Sequence, residues 1–195
     1  MRNASCVRCP LHANVTTVCV PADGPQRAKL LVVDLVSGPD DDAVGKPAQG
    51  RYGKLLRAAL DNLEVEYRIT TAARCRTPDN RKPLAVELES CRMYLDADLG
   101  DMPNLEVLVT LGDAKNSFDI KGQMLSLAGI PIQRPGFLGR GVVLVPLAHP
   151  SYVFQNQAYV GTWQSHWDVV RGLLHKQDDP ATRIGAEILD HVEIP

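Results

Sequence analysis

The stretch Cys75-Arg-Thr-Pro-Asp-Asn-Arg-Lys-Pro-Leu-Ala-Val-Glu-Leu-Glu-Ser-Cys91 changes character at its second proline. Up to Lys82 it reads as a polar loop. After Pro83, residues Leu84, Leu88, Cys91 and Leu95 recur at the three- and four-residue spacing of an amphipathic helix. Proline suits a first helical turn, where its missing N–H would have no intrahelical partner, and Gly100 predicts the stop. The pattern puts Cys75 in the loop and Cys91 on the buried helical face. Far upstream, Cys6-Val-Arg-Cys9 is a C-x-x-C, a spacing at which a tight turn aims two thiolates at one ion. Sulfurs from three segments can therefore meet at one metal centre, and spacing alone leaves zinc and iron-sulfur both open.

Working outward, Val65, Tyr67, Ile69 and Thr71 alternate and predict a strand running into Arg74-Cys75-Arg76. Leu55, Leu56, Ala59, Leu60 and Leu63 predict a helix before it, and the apolar run from Lys29 to Val36 a buried strand. On the other side, Val107 to Leu111 and Val142 to Leu147 predict two more strands, stopped by Gly112-Asp113 and Ala148-His149-Pro150, with a helix between them. Trp163, Trp167, Val170 and Leu174 share one face of a final helix. This alternation predicts an α/β fold, three-layer αβα with a central, mainly parallel four-stranded sheet. Ligands bind such sheets outside the carboxyl ends of the strands, so residues 37–50, 71–76, 112–113 and 148–152 should gather at one rim.

A chain of 195 residues, 45% of them hydrophobic, suffices for one core. The expected division is one domain over residues 1–175 and an acidic, proline-bearing tail over 176–195. The start lacks an apolar leader and no long apolar run follows, which predicts a cytoplasmic location without membrane partners or structural disulfides. Cysteines at 6, 9, 19, 75 and 91 are an odd set, favouring ligation by four of them over pairing, with Cys19 left over. A net charge of −2 excludes a global basic signature, so any nucleic-acid contact must come from a local patch. No P-loop, zinc-protease motif or internal repeat is present.

Five motifs together resemble the iron-sulfur branch of the uracil-DNA glycosylase superfamily, often called family four, over roughly residues 6–171. Cys6-Val-Arg-Cys9-Pro-Leu is similar to its C-x-x-C-x-L, and Arg74-Cys75-Arg76-Thr-Pro-Asp-Asn80-Arg81 to its Lys-Cys-Arg-Pro-Pro-x-Asn-Arg. Cys91-Arg-Met-Tyr-Leu95 matches its Cys-x-x-Tyr-Leu, Val107-Leu-Val-Thr-Leu-Gly112 its central strand and glycine turn, and His149-Pro-Ser-Tyr152 its His-Pro-x-Tyr. The cysteine order and spacing are the specific part of the match; a strand ending in Leu-Gly is not.

The resemblance implies a [4Fe–4S] cluster of structural role on Cys6, Cys9, Cys75 and Cys91. It implies a phosphate-contacting patch of Arg74, Arg76, Arg81 and Lys82, joined by Ser151 and Tyr152 of the fourth-strand motif. A glycosylase flips a nucleotide and stabilises negative charge on the departing base. By resemblance His149 does the latter, and one donor so aimed is worth on the order of 3 kcal/mol.

Elsewhere the chain departs from the family. In the register of Gly-x-Pro-Phe-Val-Gly, Ala48 stands where the stacking aromatic belongs, a loss of about 1–3 kcal/mol. The same register sets Asp34-Leu-Val-Ser37-Gly38 against Gly-Glu-Ala-Pro-Gly, with Leu35 at the acid and Asp34 expected on the opposite pleat face. Thr71 takes the place of the base-reading Asn and cannot present the paired edge of an amide. Asp41 and Asp42 match Glu-Asp, and Asp42 is the candidate general base.

Ser37, Gly38, Ala48 and Thr71 are thus the expected substrate-binding set, in a pocket opened for uracil or a pyrimidine bulkier at its 5-position. The expected function is a DNA glycosylase, a hydrolase of base-excision DNA repair with DNA as partner. Its rival is a non-catalytic module of the same fold that binds DNA or joins replication or repair proteins.

Overall fold

Leu30, Leu31, Val32 and Val33 are all completely buried, and their side chains divide by pleat parity. Leu30 and Val32 enter one core cluster, with Leu56, Leu60, Trp163, Trp167, Val170 and Leu174. Leu31 and Val33 enter a second, with Leu95, Leu99, Met102 and Phe118. Both faces of the strand are therefore covered, which is why it reads as a continuous apolar run.

The computed structural model describes residues 3–134, 136–139 and 141–176. Its strands are β1 (Leu30–Val36), β2 (Tyr67–Ala73), β3 (Val107–Leu111), β4 (Ile132–Gln133) and β5 (Val143–Leu147), in the sheet order β2-β1-β3-β5-β4. The pairs β1–β2, β1–β3 and β3–β5 are parallel, and β4 runs antiparallel to β5. The helices are α1 (Pro39–Val44), α2 (Gly50–Asp61), α3 (Ala85–Gly100), α4 (Met124–Leu127), α5 (Pro150–Gln155) and α6 (Val160–Lys176). The second core cluster packs under α3, and the first under α2 and α6, giving the three-layer αβα arrangement.

The sheet has five strands, one more than the four expected. The extra strand is only Ile132–Gln133, two residues at the edge, too short to carry an alternation. Loop 37–50 contains α1, whose first turn holds Asp40, Asp41 and Asp42, where carboxylates suit the positive end of the helix. The helix expected after Gly112-Asp113 is a 3-10 segment, Gly112–Phe118, followed by α4.

At α3 the predicted apolar stripe loses its first member. Leu84 is the N-cap and 54% exposed, while Cys91 and Leu95 are buried as read. Glu87 fixes this start by accepting the Leu84 N–H at 2.7 Å. α6 is described as far as Lys176, and the rest of the expected tail lies outside the described residues. Among the described residues, no helix is long and apolar enough to cross a membrane.

All four residues of the tryptophan stripe are buried. Trp163 does more than fill space, because its indole N–H donates to the Ala148 carbonyl at 3.0 Å and so ties α6 to the backbone just before His149. Trp163→Phe keeps an aromatic ring, though a smaller one, and strands that carbonyl. It is expected to lower unfolding free energy by about 1–3 kcal/mol in urea titration.

Candidate functional site

A cavity of about 1110 Å³ opens where the carboxyl ends of β1, β3 and β5 meet, at the rim expected for a sheet of this connectivity. Its lining includes Asp34, Ser37, Gly38, Asp41, Ala48, Tyr52, Gly112 and His149. Parity explains the convergence. Val143, Val145 and Leu147 project to the α2/α6 side, so His149, two residues on, continues that side, as Asp34 continues Leu30 and Val32. Between them the chain leaves β3 through Gly112 at φ +54, where an added Cβ would stand 3.3 Å from the Cβ of His149. The glycine gives the backbone turn and clears the space for the imidazole.

His149 is the N-cap of α5, and its Nδ1 accepts the Ser151 N–H at 3.1 Å with the Ser151 hydroxyl 2.7 Å away. A neutral ring so held carries its proton on Nε2, which lies 3.2 Å from Asp34 Oδ2. When the ring is protonated, Nδ1–H donates to the serine oxygen instead. Burial works against the cation, but the Asp34 carboxylate, by charge and hydrogen bond, and Asp41 further off hold the His149 pKa above its ordinary value.

Asp34 is the cavity residue whose place beside the histidine the sequence understates. It does point away from Leu35, as expected, but it is the Asp34 side that faces the histidine, whereas Leu35 packs against the α3-side core. The two aspartates of α1 have separate tasks. Asp41 lines the cavity, accepting the Gly38 N–H at 3.0 Å and the Gln49 N–H at 2.7 Å; burial pushes its pKa up against those hydrogen bonds. Asp42, the candidate general base, is turned away. Its carboxylate takes the N–H groups of Thr16 and Thr17 at 3.1 and 2.8 Å, 5% exposed and outside the cavity lining. Its place is corrected from the cavity to the anchor of the N-terminal segment.

Ser37, Gly38 and Ala48 line the cavity, while Thr71 does not. Thr71 is 2% exposed and sits behind the wall on the edge strand β2, paired in register with Asp34 and with its hydroxyl 3.2 Å from that of Ser37. Ala48 adopts φ +55 and is pinned by Arg57, which donates to the Pro47 and Ala48 carbonyls at 2.9 and 3.1 Å. Tyr52, which sequence inspection passed over, lines the cavity one helical turn beyond Ala48 with its ring centroid 6.1 Å from that of His149. Its signal was available, for Tyr52, Leu56 and Leu60 are spaced by four and extend the core stripe of α2 into the cavity. Arg51 stacks on both Tyr52 and the exposed Phe154, at 4.6 and 4.9 Å from their centroids.

The expected cationic patch divides. Arg76 is half-buried and bonds Asn80, and Lys82 is exposed and pairs with Asp113 across the cavity mouth. Arg81 is committed to Glu87 through two hydrogen bonds of 2.9 and 2.6 Å, clamping the start of α3. Arg74 is a correction: it is completely buried, paired with the equally buried Asp98, and cannot meet a phosphate. Ser151 and Tyr152 both line the cavity, Ser151 bonded to His149 and Tyr152 with its ring centroid 5.3 Å from that of Tyr159.

The cysteines gather on the other side of β2. Cys6, Cys19, Cys75 and Cys91 are buried and Cys9 is half-buried. The Cys19 N–H donates to Cys75 Sγ at 3.3 Å, and the Arg74 N–H donates to the Cys91 sulfur. Burial, aided by the charges of Cys91, Cys19 and Cys9, pushes the Cys75 thiol up to about 11. Burial and neighbouring cysteines also raise Cys91. Among the described residues, no three His, Cys, Asp or Glu side chains stand as a ready-made metal site. The donor set is nonetheless all sulfur, crowded and buried, which is the chemistry of a soft metal centre: thiolates that repel one another are stabilised by cations among them.

A family model described as the uracil DNA glycosylase superfamily matches residues 21–168. The chain is 32% identical over 160 residues to the Type-4 uracil-DNA glycosylase of Thermotoga maritima, covering 80% of this chain and 82% of that protein. Proteins of the same description from Pyrobaculum aerophilum and Archaeoglobus fulgidus are each 30% identical, over 168 and 182 residues. Those matches cover 82% and 89% of this chain, and 85% and 90% of the two relatives.

Proposed function

The chain belongs to the uracil DNA glycosylase superfamily, and on that premise we propose that it is a DNA glycosylase that hydrolyses the bond between a flipped uracil and its deoxyribose. The observation that carries this is the His149–Asp34 pair at the floor of a cavity formed by strand ends. Breaking the C1′–N1 bond leaves its electron pair on the base, and a histidine held toward its cationic form is placed to stabilise that charge. Asp34 lies beside it to orient a water and take its proton as the oxygen bonds to C1′. Asp34 thus replaces Asp42 as the candidate base. Ser37 and Gly38 form the wall along the base edge, and Ala48 leaves open the volume of an aromatic ring, so uracils substituted at the 5-position fit as well.

DNA is the substrate, and the exposed cations at the mouth, Arg51 and Lys82 with Arg76 behind them, supply the phosphate contacts. The solvent-exposed Lys82–Asp113 pair is weak enough for a phosphate to displace the carboxylate. Cys6, Cys9, Cys75 and Cys91 would hold a [4Fe–4S] cluster, which when bound supplies a cross-link between the N-terminal segment, the loop after β2 and α3. Single-turnover reactions on oligonucleotides carrying uracil or 5-substituted uracils, followed by alkali, test the reading. Abasic-site cleavage at uracil is expected, and no release from any of the bases would overturn it.

A further inference from the structure

Arg74 and Asp98 are both 0% exposed, an expensive pair to bury where an apolar pair would have packed as well. The guanidinium donates to the Asp98 carboxylate and, at 3.2 Å, to the Tyr94 carbonyl, and it lies 5.1 Å over the Tyr94 ring. Thr70 donates to the same carboxylate at 2.6 Å, and the nearly buried Arg68 stands 3.8 Å from its other oxygen. Arg68 and Arg74 thus both face the Asp98 carboxylate, and the Arg74 guanidinium also lies beside the sulfurs. The other end of the guanidinium reaches Cys19 Sγ at 3.9 Å, Cys19 donates its N–H to Cys75, and the Arg74 N–H serves Cys91. One residue therefore touches the surroundings of both late cysteines.

We propose that Arg74 is a positioning residue and the fixed counter-charge of the sulfur centre, with Asp98 as the bracket that aims it. The proposal rests on the cluster reading above. Four thiolates outweigh the positive charge of an iron-sulfur core, and an adjacent buried cation stabilises the excess. It also favours the reduced form, in which that excess is larger.

The test uses the full chain prepared anaerobically, with iron and acid-labile sulfide content, the rate of iron loss to a chelator, and the midpoint potential as readouts. Arg74→Met is expected to release iron roughly 10–100-fold faster than wild type and to show a lower midpoint. Arg74→Lys, which keeps the charge, is expected to restore most of both. Asp98→Asn, which frees the guanidinium to move but removes no cation, is expected to release iron at a rate between wild type and Arg74→Met without the fall in midpoint. A folded Arg74→Met with wild-type iron release and midpoint would overturn the proposal alone. If Arg74→Met fails to fold, a Lys variant with its midpoint far from wild type would overturn it instead. Iron-free, folded wild-type protein would overturn the cluster reading and this proposal together.

Discussion

Replacing His149 by alanine is expected to slow uracil release by about 10²–10³ in single-turnover experiments while leaving duplex affinity near wild type. The imidazolium sets a positive charge in the cavity beside a base that leaves with negative charge, and that cationic form is supported by two carboxylates. It makes no contact with the cysteine side of β2, so metal content and spectrum should not change. The variant forfeits the N-cap acceptor for Ser151, worth about 1 kcal/mol, but Trp163 still holds the adjacent Ala148 carbonyl, so the strand end stays in place. A variant that folds, binds DNA and turns over at the wild-type rate would remove His149 from the chemistry.

Asp34→Asn should be as damaging for a different reason, lowering the rate by about 10²–10⁴ because the group that accepts the proton of water is gone. It also alters the pH profile. In wild type, burial disfavours the imidazolium, but Asp34 and Asp41 outweigh it, so catalysis that needs the cation is complete well below the raised pKa and is lost as pH climbs through it. With asparagine at 34 the main opposing charge disappears, and the alkaline limb is expected to move toward lower pH. The same linkage acts on stability. A histidine raised in the folded state contributes fully below its unfolded value near 6.5, and that contribution fades as pH rises through the folded value. The stability advantage of wild type over Asp34→Asn should therefore shrink on going alkaline. An alkaline limb that does not move would separate Asp34 from His149.

The parallel sheet, its two covered faces and the rim lined by the cavity were legible because each long strand is a dense apolar run and each long helix a stripe of leucines or tryptophans. What escaped was set by distance along the chain or by brevity. Ile132–Gln133 is a strand only because β5 offers it an edge. Arg74 reads as a surface cation among Arg76, Arg81 and Lys82, and nothing local announces the aspartate waiting at position 98. Asp42 was misplaced because three consecutive aspartates look alike until a helix turns them to different neighbours. Asp34 is the instructive case: the parity that sets it opposite Leu35 also sets it with Val32 and toward α2, which is where the cavity lies.

Among the described residues, the N-terminal segment before β1 contributes no strand, and its long-range fasteners come later in the chain. Asp42 grips Thr16 and Thr17, Ile69 bridges Asp23, the Arg74 carbonyl receives the Val20 N–H, and Tyr94 receives Asn3. On the ribosome this segment is made before its fasteners, and its attachment is completed only when the third helix has cleared the exit tunnel. Stalled nascent chains ending before that helix should leave this leading portion open to protease, and chains extended past it should not.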